Sequence, residues 1–429
     1  MMQPSGGRKP RHIPLLALLL TTLFVACDSS PSSTSQPSPD DYKSGPPATG
    51  PALDRSVRVA LLREATGCLL AISQPFDVLD PRSGRVLAAM DHPTPLTVSF
   101  AGGVVKFASS ERTFDADVLE LRPRAAGLVG LQTPEGLHRY RGRLRFVRQS
   151  PTTALVLNIV DMEDYLLGVV PAELPADFEP AAQRAQAIAA RTFAWYHKRF
   201  YGPRQDWDLL ATEGSQVYRG ANVESRSPEG VKAVHDTRGI VCAYSSPEGE
   251  RIFPAYFSST CGGGSRISPR RKGEPEYPPL AGNVRCDFCS PSPAYRWPAV
   301  SIPKKQITER LRERYSRIAA IGPIVGLEIT ERTPLGRPVQ VAVSDAAGRQ
   351  VSLDVEDFRL TVDPTGRVIK SGHFTPVVQK DSILFTDGRG FGHGWGLCQY
   401  GANTLAQSGK TASEILSFYY PGCQLVRAY

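Results

Sequence analysis

Two prolines leave little conformational freedom to the stretch Tyr165-Leu166-Leu167-Gly168-Val169-Val170-Pro171-Ala172-Glu173-Leu174-Pro175. Each fixes φ and removes a backbone donor, so the carboxylate between them, Glu173, sits on a stiff loop and is aimed. Beyond it, Asp177 is placed to cap a helix of about six turns running to Phe200. Ala181, Ala182, Ala185, Ala189 and Ala190 let neighbouring backbone approach this helix closely, while Ile188, Phe193 and Tyr196 supply its bulky contacts. Arg184 and Lys198 are expected to face water. The run around Glu173 is apolar, and an apolar wall raises a carboxyl pKa toward the range of a working acid at neutral pH. The plainer alternative is an acidic decoration at the start of the next helix.

The remaining pattern is mixed. Residues 53–150 carry short apolar and β-branched runs between Gly, Pro and Asp breaks: Val57–Leu62, Cys68–Ile72, Val104–Phe107, Val118–Leu121 and Leu144–Val147. An apolar strand at 154–160 feeds Asp161, a good N-cap for a short helix through Leu167 that Gly168 ends. Further on, Gly239–Tyr244 and Arg251–Ser258 read as a hairpin pair, and residues 262–298 as irregular. Lys304–Ile318 reads as an amphipathic helix, with Ile307, Leu311 and Tyr315 as its buried stripe. Strands follow at Val325–Thr330, Val339–Val343, Val351–Val355 and Ile383–Phe385, and a last helix at Ala412–Tyr419. The fold class expected is α+β: a mixed β-sheet core with an Ala-rich central helix, preceded by a small β-rich N-terminal region. That region spans 53–150 and the core 151–429, with a cysteine-containing insertion at about 259–298.

The first 52 residues are of another kind. Arg8, Lys9 and Arg11 precede an apolar run from Ile13 to Ala26, too short and wrongly flanked for a stable membrane span, which reads as an export signal. It ends Leu23-Phe24-Val25-Ala26-Cys27 and resembles a bacterial lipoprotein cleavage box, with Phe24 where that box prefers Leu and Cys27 as the lipidated residue. Residues 1–27 are thus expected to be a lipoprotein signal, and 28–52, rich in Ser and Pro, a disordered tether. The expected location is outside the cell membrane, anchored by lipid and facing the wall or periplasm. Removing residues 1–26 takes away three basic side chains, so the formal charge falls from +8 to +5. This favours an anionic wall polymer weakly. With no basic stripe and interleaved aromatics, it is no nucleic-acid footprint.

Four segments occur in one order. The first runs from Met162-Glu163-Asp164-Tyr165 through the Glu173 loop to Arg191-Thr192-Phe193. Ser215-Gln216-Val217-Tyr218-Arg219-Gly220 follows, then Ala255-Tyr256-Phe257-Ser258-Ser259-Thr260-Cys261-Gly262-Gly263. The fourth is Gly390-Phe391-Gly392-His393-Gly394-Trp395-Gly396-Leu397-Cys398-Gln399-Tyr400-Gly401-Ala402, continuing to Tyr419-Tyr420-Pro421-Gly422. Together, over roughly 57–429, they resemble the stage II sporulation protein D family, which includes the amidase enhancers. The resemblance implies a peptidoglycan lytic transglycosylase acting on glycan strands, in sporulating members on strands already stripped of peptide. It puts the acid at Glu173 and ties Arg191 to activity or substrate binding.

The chemistry agrees with one acid. Hydrolytic glycosidases usually use two carboxylates; a lytic transglycosylase needs one, which protonates the departing oxygen and then serves as base while the 6-hydroxyl of muramic acid closes on the anomeric carbon. A nearby helix N-terminus would lower the carboxyl pKa, so burial has to outweigh it. Arg191 is assigned to substrate binding, with the lactyl carboxylate of muramic acid as its partner and a structural ion pair as the alternative. Gln216 and Tyr218 carry groups suited to sugar hydroxyls, or else are satisfied core groups, and Ser259 is grouped with them. His393 stands among alternating glycines, an entropically expensive arrangement unless close approach is needed. It is assigned to binding or to a second acid/base role, and Gln399 to the same wall.

Eight cysteines less the lipidated one leave seven, which rules out a complete disulfide framework. Cys261, Cys286 and Cys289 fit three ligands of a structural zinc site. The fourth stays open between Cys242, His235 and an external group. A disulfide among the three is the competing reading, and Cys398 and Cys423 are candidates to pair. Catalysis itself needs no cofactor. The leading expectation is therefore a transglycosylase acting on peptidoglycan. Its rival is a non-catalytic wall-binding activator of a partner amidase, and a zinc hydrolase built on His393 ranks last for want of a motif such as H-E-x-x-H.

Overall fold

The computed structural model describes residues 54–91, 95–108, 112–268, 276–318 and 321–429. The export signal, Cys27 and the Ser/Pro-rich tether lie outside the described residues. No helix among those described is long and apolar enough to cross a membrane.

The architecture is α+β. Two sheets make up the N-terminal part. Seven strands lie in the order Leu209–Leu210, Ser56–Ala65, Ala154–Asp161, Arg143–Arg148, Val118–Pro123, Phe76–Leu79, Val86–Met90; six lie in the order Gly136–Tyr140, Val129–Thr133, Gly67–Ile72, Pro95–Ala101, Val104–Phe107, Arg112–Phe114. Alternation sets the core: Val57 and Val59 from one sheet and Leu70, Leu96 and Val98 from the other point inward and are sealed from water. Ala154–Asp161 is buried along nearly its whole length and pairs antiparallel with Ser56–Ala65. It delivers the chain to the site.

Eight helices are described: α1 (Met162–Leu167), α2 (Val170–Glu173), α3 (Pro180–Phe200), α4 (Pro228–Asp236), α5 (Lys304–Arg314), α6 (Val355–Val362), α7 (Gln399–Gln407) and α8 (Ala412–Tyr419). Asp161 caps α1, its carboxylate accepting from the Glu163 N–H, and Gly168 closes it. Asp177 does not cap α3. That helix starts at Pro180 after Glu179, because proline at the first turn has no N–H to satisfy and its φ is already helical. The alanines of α3 are buried, and α4, α7, α8 and the strand Ile240–Ser246 pack round it. Such a helix is core on all sides.

A third core, from Trp297 to Phe385, joins α5 and α6 to two three-stranded sheets. Between it and α3 run irregular segments that meet through a short parallel pairing of Phe257–Ser258 with Leu397–Cys398 and an isolated bridge between Thr260 and Phe391. The site lies here.

Candidate active site and thiol cluster

A cleft of about 600 Å³ opens between the α2 loop, the segment around Ser215, the segment Phe257-Ser258-Ser259 and the glycine turn at 390–396. Glu173 is one wall of it. The residue ends the single turn α2, and α3 begins only at Pro180, so no long helix N-terminus bears on the carboxyl. The side chain keeps a partial opening to the cleft, while protein surrounds it elsewhere as densely as in an interior. Burial pushes the carboxyl up from 4.5 to about 7, and the charge of Glu213 adds to the rise. Opposing these, the Val217 N–H donates to Glu173 Oε1 at 2.6 Å and the Gln399 side chain also hydrogen-bonds the carboxyl. The result is an acid near half-protonation at neutral pH.

The glycine turn faces it. Gly390, Gly392, Gly394 and Gly396 all have positive φ, between 60° and 95°. A Cβ at Gly396 would lie 2.2 Å from the Tyr256 carbonyl oxygen, and one at Gly390 would lie 2.5 Å from that of Thr260. Close approach to the 256–261 segment is thus the reason for the alternation. The turn presents His393, whose ring stacks on Trp395 with centroids 4.4 Å apart. Its Nδ1 accepts from the Trp395 N–H at 3.0 Å, which leaves the proton of the neutral ring on Nε2. Burial and neighbouring arginines lower this histidine to about 3. At neutral pH it is a neutral hydrogen-bond donor, and an acid/base cycle there is disfavoured.

The sequence-derived candidates divide. Glu173, Ser259, His393 and Gln399 line the cleft together. Arg191 does not: it is wholly buried in α3, with Nε and Nη2 on the Glu163 carboxylate at 2.9 and 2.8 Å and its other donors on Val234, Thr237 and Ile240. The substrate-binding role expected of it is corrected to that of a structural ion pair. Gln216 and Tyr218 are also core groups. Gln216 accepts from the Tyr165 hydroxyl and donates to the Ala190 carbonyl, and the Tyr218 hydroxyl donates to Asn158. Ser215 and Val217, alternating with these core groups, take the cleft side, joined by Glu213 from the turn that the Ser215 N–H closes onto the Thr212 carbonyl at 2.9 Å. Glu213 was missed, because it sits on a turn whose direction no residue pattern sets. Lys370 also lines the cleft without having been singled out.

Behind the wall, the sulfurs of Cys261, Cys286, Cys289 and Cys398 lie within 4.8 Å of one another. Cys261 Sγ and Cys289 Sγ are 3.7 Å apart, too far for a disulfide and close to the ~3.8 Å edge of a tetrahedron with metal–sulfur bonds of ~2.3 Å. Four buried thiols without a carboxylate or imidazole suit a closed structural site rather than a catalytic one. The Tyr419 hydroxyl contacts Cys286 Sγ at 3.1 Å, and the Cys261 N–H donates to Cys398 Sγ at 3.3 Å. Cys398 thus occupies the fourth position left open among Cys242, His235 and an external group. Cys398 and Cys423 do not come together; Cys423 hydrogen-bonds Cys242.

An α+β scaffold with one perturbed carboxyl in an aromatic and hydroxyl-lined cleft, backed by a thiol cluster, defines the class of site. The family model for the Stage II sporulation protein, SpoIID, matches residues 150–244, the span from the strand before α1 to the strand after α4. An uncharacterized protein of Brachyspira hyodysenteriae is 32% identical over 287 residues, 67% of this chain and 72% of that one. Stage II sporulation protein D of Bacillus subtilis is 28% identical over 350 residues, covering 78% of this chain and 92% of that protein. The amidase enhancer of Bacillus subtilis is 28% identical over 305 residues, 61% of this chain but 40% of the enhancer. The chain belongs to the SpoIID family.

Proposed function

We propose that this protein works on the cell wall as a lytic transglycosylase, cleaving the MurNAc–GlcNAc bond of peptidoglycan glycan strands to leave 1,6-anhydro-MurNAc ends. The observation that carries the reading is the Glu173 carboxyl, held at about 7 by burial in an open cleft. In its protonated form it gives its proton to the glycosidic oxygen as the bond to the MurNAc anomeric carbon breaks. The resulting carboxylate takes the proton of the MurNAc 6-hydroxyl as that oxygen bonds to the same carbon. No water is consumed. Gln399 and the Val217 N–H fix the carboxyl, the His393 Nε2–H offers a neutral donor to the sugar, and Phe391 and Phe257 provide apolar faces for it.

A zinc ion bound by Cys261, Cys286, Cys289 and Cys398 would supply a structural cross-link. The four residues come from three separate segments, and Cys398 directly precedes Gln399, so the cluster holds the wall on which Gln399 sits. The export signal and Cys27 support a lipid-anchored location facing the wall or periplasm. Similarity to a protein named amidase enhancer supports an amidase as partner and gives the second reading, a wall-binding activator without catalysis of its own.

Digestion of purified peptide-stripped glycan strands by wild type and Glu173→Gln separates these by product mass. Anhydro-MurNAc ends from wild type alone support the enzyme. Reducing ends would mean hydrolysis, with Glu213 as the second carboxylate, and intact strands with both proteins would support the activator.

A further inference from the structure

With Arg191 held in the core, an anionic sugar in the cleft needs another cation, and four guanidinium groups of this part of the fold are engaged elsewhere. Arg191 is paired with Glu163, Arg219 with Glu135, and Arg266 with Asp354, while Arg337 bonds the Cys261 and His393 carbonyls. Lys370 differs. It lines the same cleft as Glu173, is half-buried, and has no ion pair or side-chain hydrogen bond among the described residues. Its backbone is held on both sides. The Ile369 N–H donates to Asp363 at 2.9 Å, the Lys370 carbonyl accepts from the Gly392 N–H at 2.9 Å, and the Ser371 hydroxyl donates to the Arg389 carbonyl at 2.6 Å. A fixed main chain thus carries a free ammonium beside the turn that presents His393.

We propose that Lys370 is a specificity-determining residue that pairs with the lactyl carboxylate of a MurNAc unit in the cleft, and that this pairing is what would let the site tell the peptide-stripped strands implied by the family resemblance from strands in which that group is an amide. This rests on the glycan-strand reading above. The chemistry is discriminating: a stem peptide turns the lactyl carboxyl into a neutral amide, whereas hydrolysis of that amide bond restores an anion. The ammonium can donate to either oxygen, but an ion pair forms only with the second. The reaction that must supply this substrate is therefore amide hydrolysis at the lactyl group. Glu213, exposed on the same cleft, opposes anions without being bonded to Lys370, so the ammonium has to provide the local attraction.

The test uses the whole protein and two preparations of one glycan strand, one with free lactyl carboxylates and one with those carboxyls converted to methylamides. Wild type should cleave the carboxylate strand with kcat/KM roughly tenfold higher, mainly through KM, and the advantage should shrink as salt rises. Lys370→Met should bring the carboxylate strand down to the methylamide value, and Lys370→Arg should restore the preference. A preference that survives Lys370→Met, or equal cleavage of both strands by wild type, overturns the proposal. Binding of the same strands to Glu173→Gln and to Glu173→Gln with Lys370→Met keeps this separate from catalysis. If wild type cleaves neither strand, the transglycosylase reading fails. A Lys370-dependent tenfold difference in Kd would still uphold the pairing, and its absence would overturn it.

Discussion

Replacing Glu173 by Gln should stabilise the protein while abolishing turnover, and the gain should depend on pH in a defined way. In the unfolded chain the carboxyl titrates near 4.5, in the folded protein at about 7. A carboxyl whose folded pKa is raised binds its proton more tightly in the native state, so its contribution is full below about 4.5 and declines as pH rises to about 7. At about 1.4 kcal/mol per pKa unit, the ionised form weakens the fold by about 3 kcal/mol at most. Partial access of water from the cleft halves this, to about 1.5 kcal/mol. Glutamine has no proton to lose and its side-chain oxygen still accepts the Val217 N–H. Urea midpoints of the two proteins, measured at constant ionic strength from pH 4 to pH 9, should coincide to within a constant offset at the acid end. They should diverge up to about pH 7 and run parallel above it. Wild-type kcat should fall as pH rises through about 7, where the folded acid ionises. A stability difference that is flat across the whole series would refute burial as the cause of the raised pKa.

Arg191→Met leaves Glu163 buried without its partner and should cost about 3–5 kcal/mol, read from urea midpoints; a folded variant with normal stability and a raised KM would restore Arg191 to substrate binding. Purified protein should contain one zinc per chain, lost in Cys398→Ser and Cys286→Ser but kept in Cys423→Ser; elemental analysis and thiol counting under denaturation check this, and a disulfide with no metal would contradict it. His393, lowered to about 3, contributes stability that is present above its unfolded value near 6.5 and lost as pH falls toward 3. His393→Gln should therefore lose on the order of 1 kcal/mol less than wild type between pH 6.5 and 4, and identical acid limbs would argue against a neutral buried ring.

Local signals were legible where they were self-contained. Asp161 announces α1, the alanines announce α3, and Ala412–Tyr419 is a helix over the span its sequence indicates. Phe76–Leu79 and Val86–Met90 were not read as strands, because each is short, and their hairpin joins the sheet only where Phe76–Leu79 pairs with the distant Val118–Pro123. The helical turn Val355–Val362 looked partly like a strand, since Val351 and Val355 frame an alternating run before Asp354 caps the helix. At the site, the proline-bracketed glutamate and the alternating glycines were evident from residue type. Arg191 was not, because Glu163 lies 28 residues earlier and only the folded chain brings the two together. Gln216 and Tyr218 have polar groups that suit either face of an extended segment; the core took them and left Ser215 and Val217 to the cleft.

The acid depends on two locks placed on opposite walls. One is ionic: Arg191 and Tyr429 hold Glu163 in α1, and the chain passes from α1 through Gly168 straight into the turn that carries Glu173. The other is the thiol cluster, which ties the segments before Gln399 and after Ser259 to one another. Among the causes of the Glu173 pKa, burial is the largest, ahead of the Val217 and Gln399 bonds that oppose it. Losing the Gln399 donor alone would raise the carboxyl further, but opening either wall admits water and removes the larger influence. The net direction on loosening a lock is therefore downward, toward an ordinary ionised carboxylate. A variant that keeps every cleft residue and only breaks the thiol cluster should thus lose the acid by ionisation, with its descending pH limb moved to lower pH before the fold itself is lost.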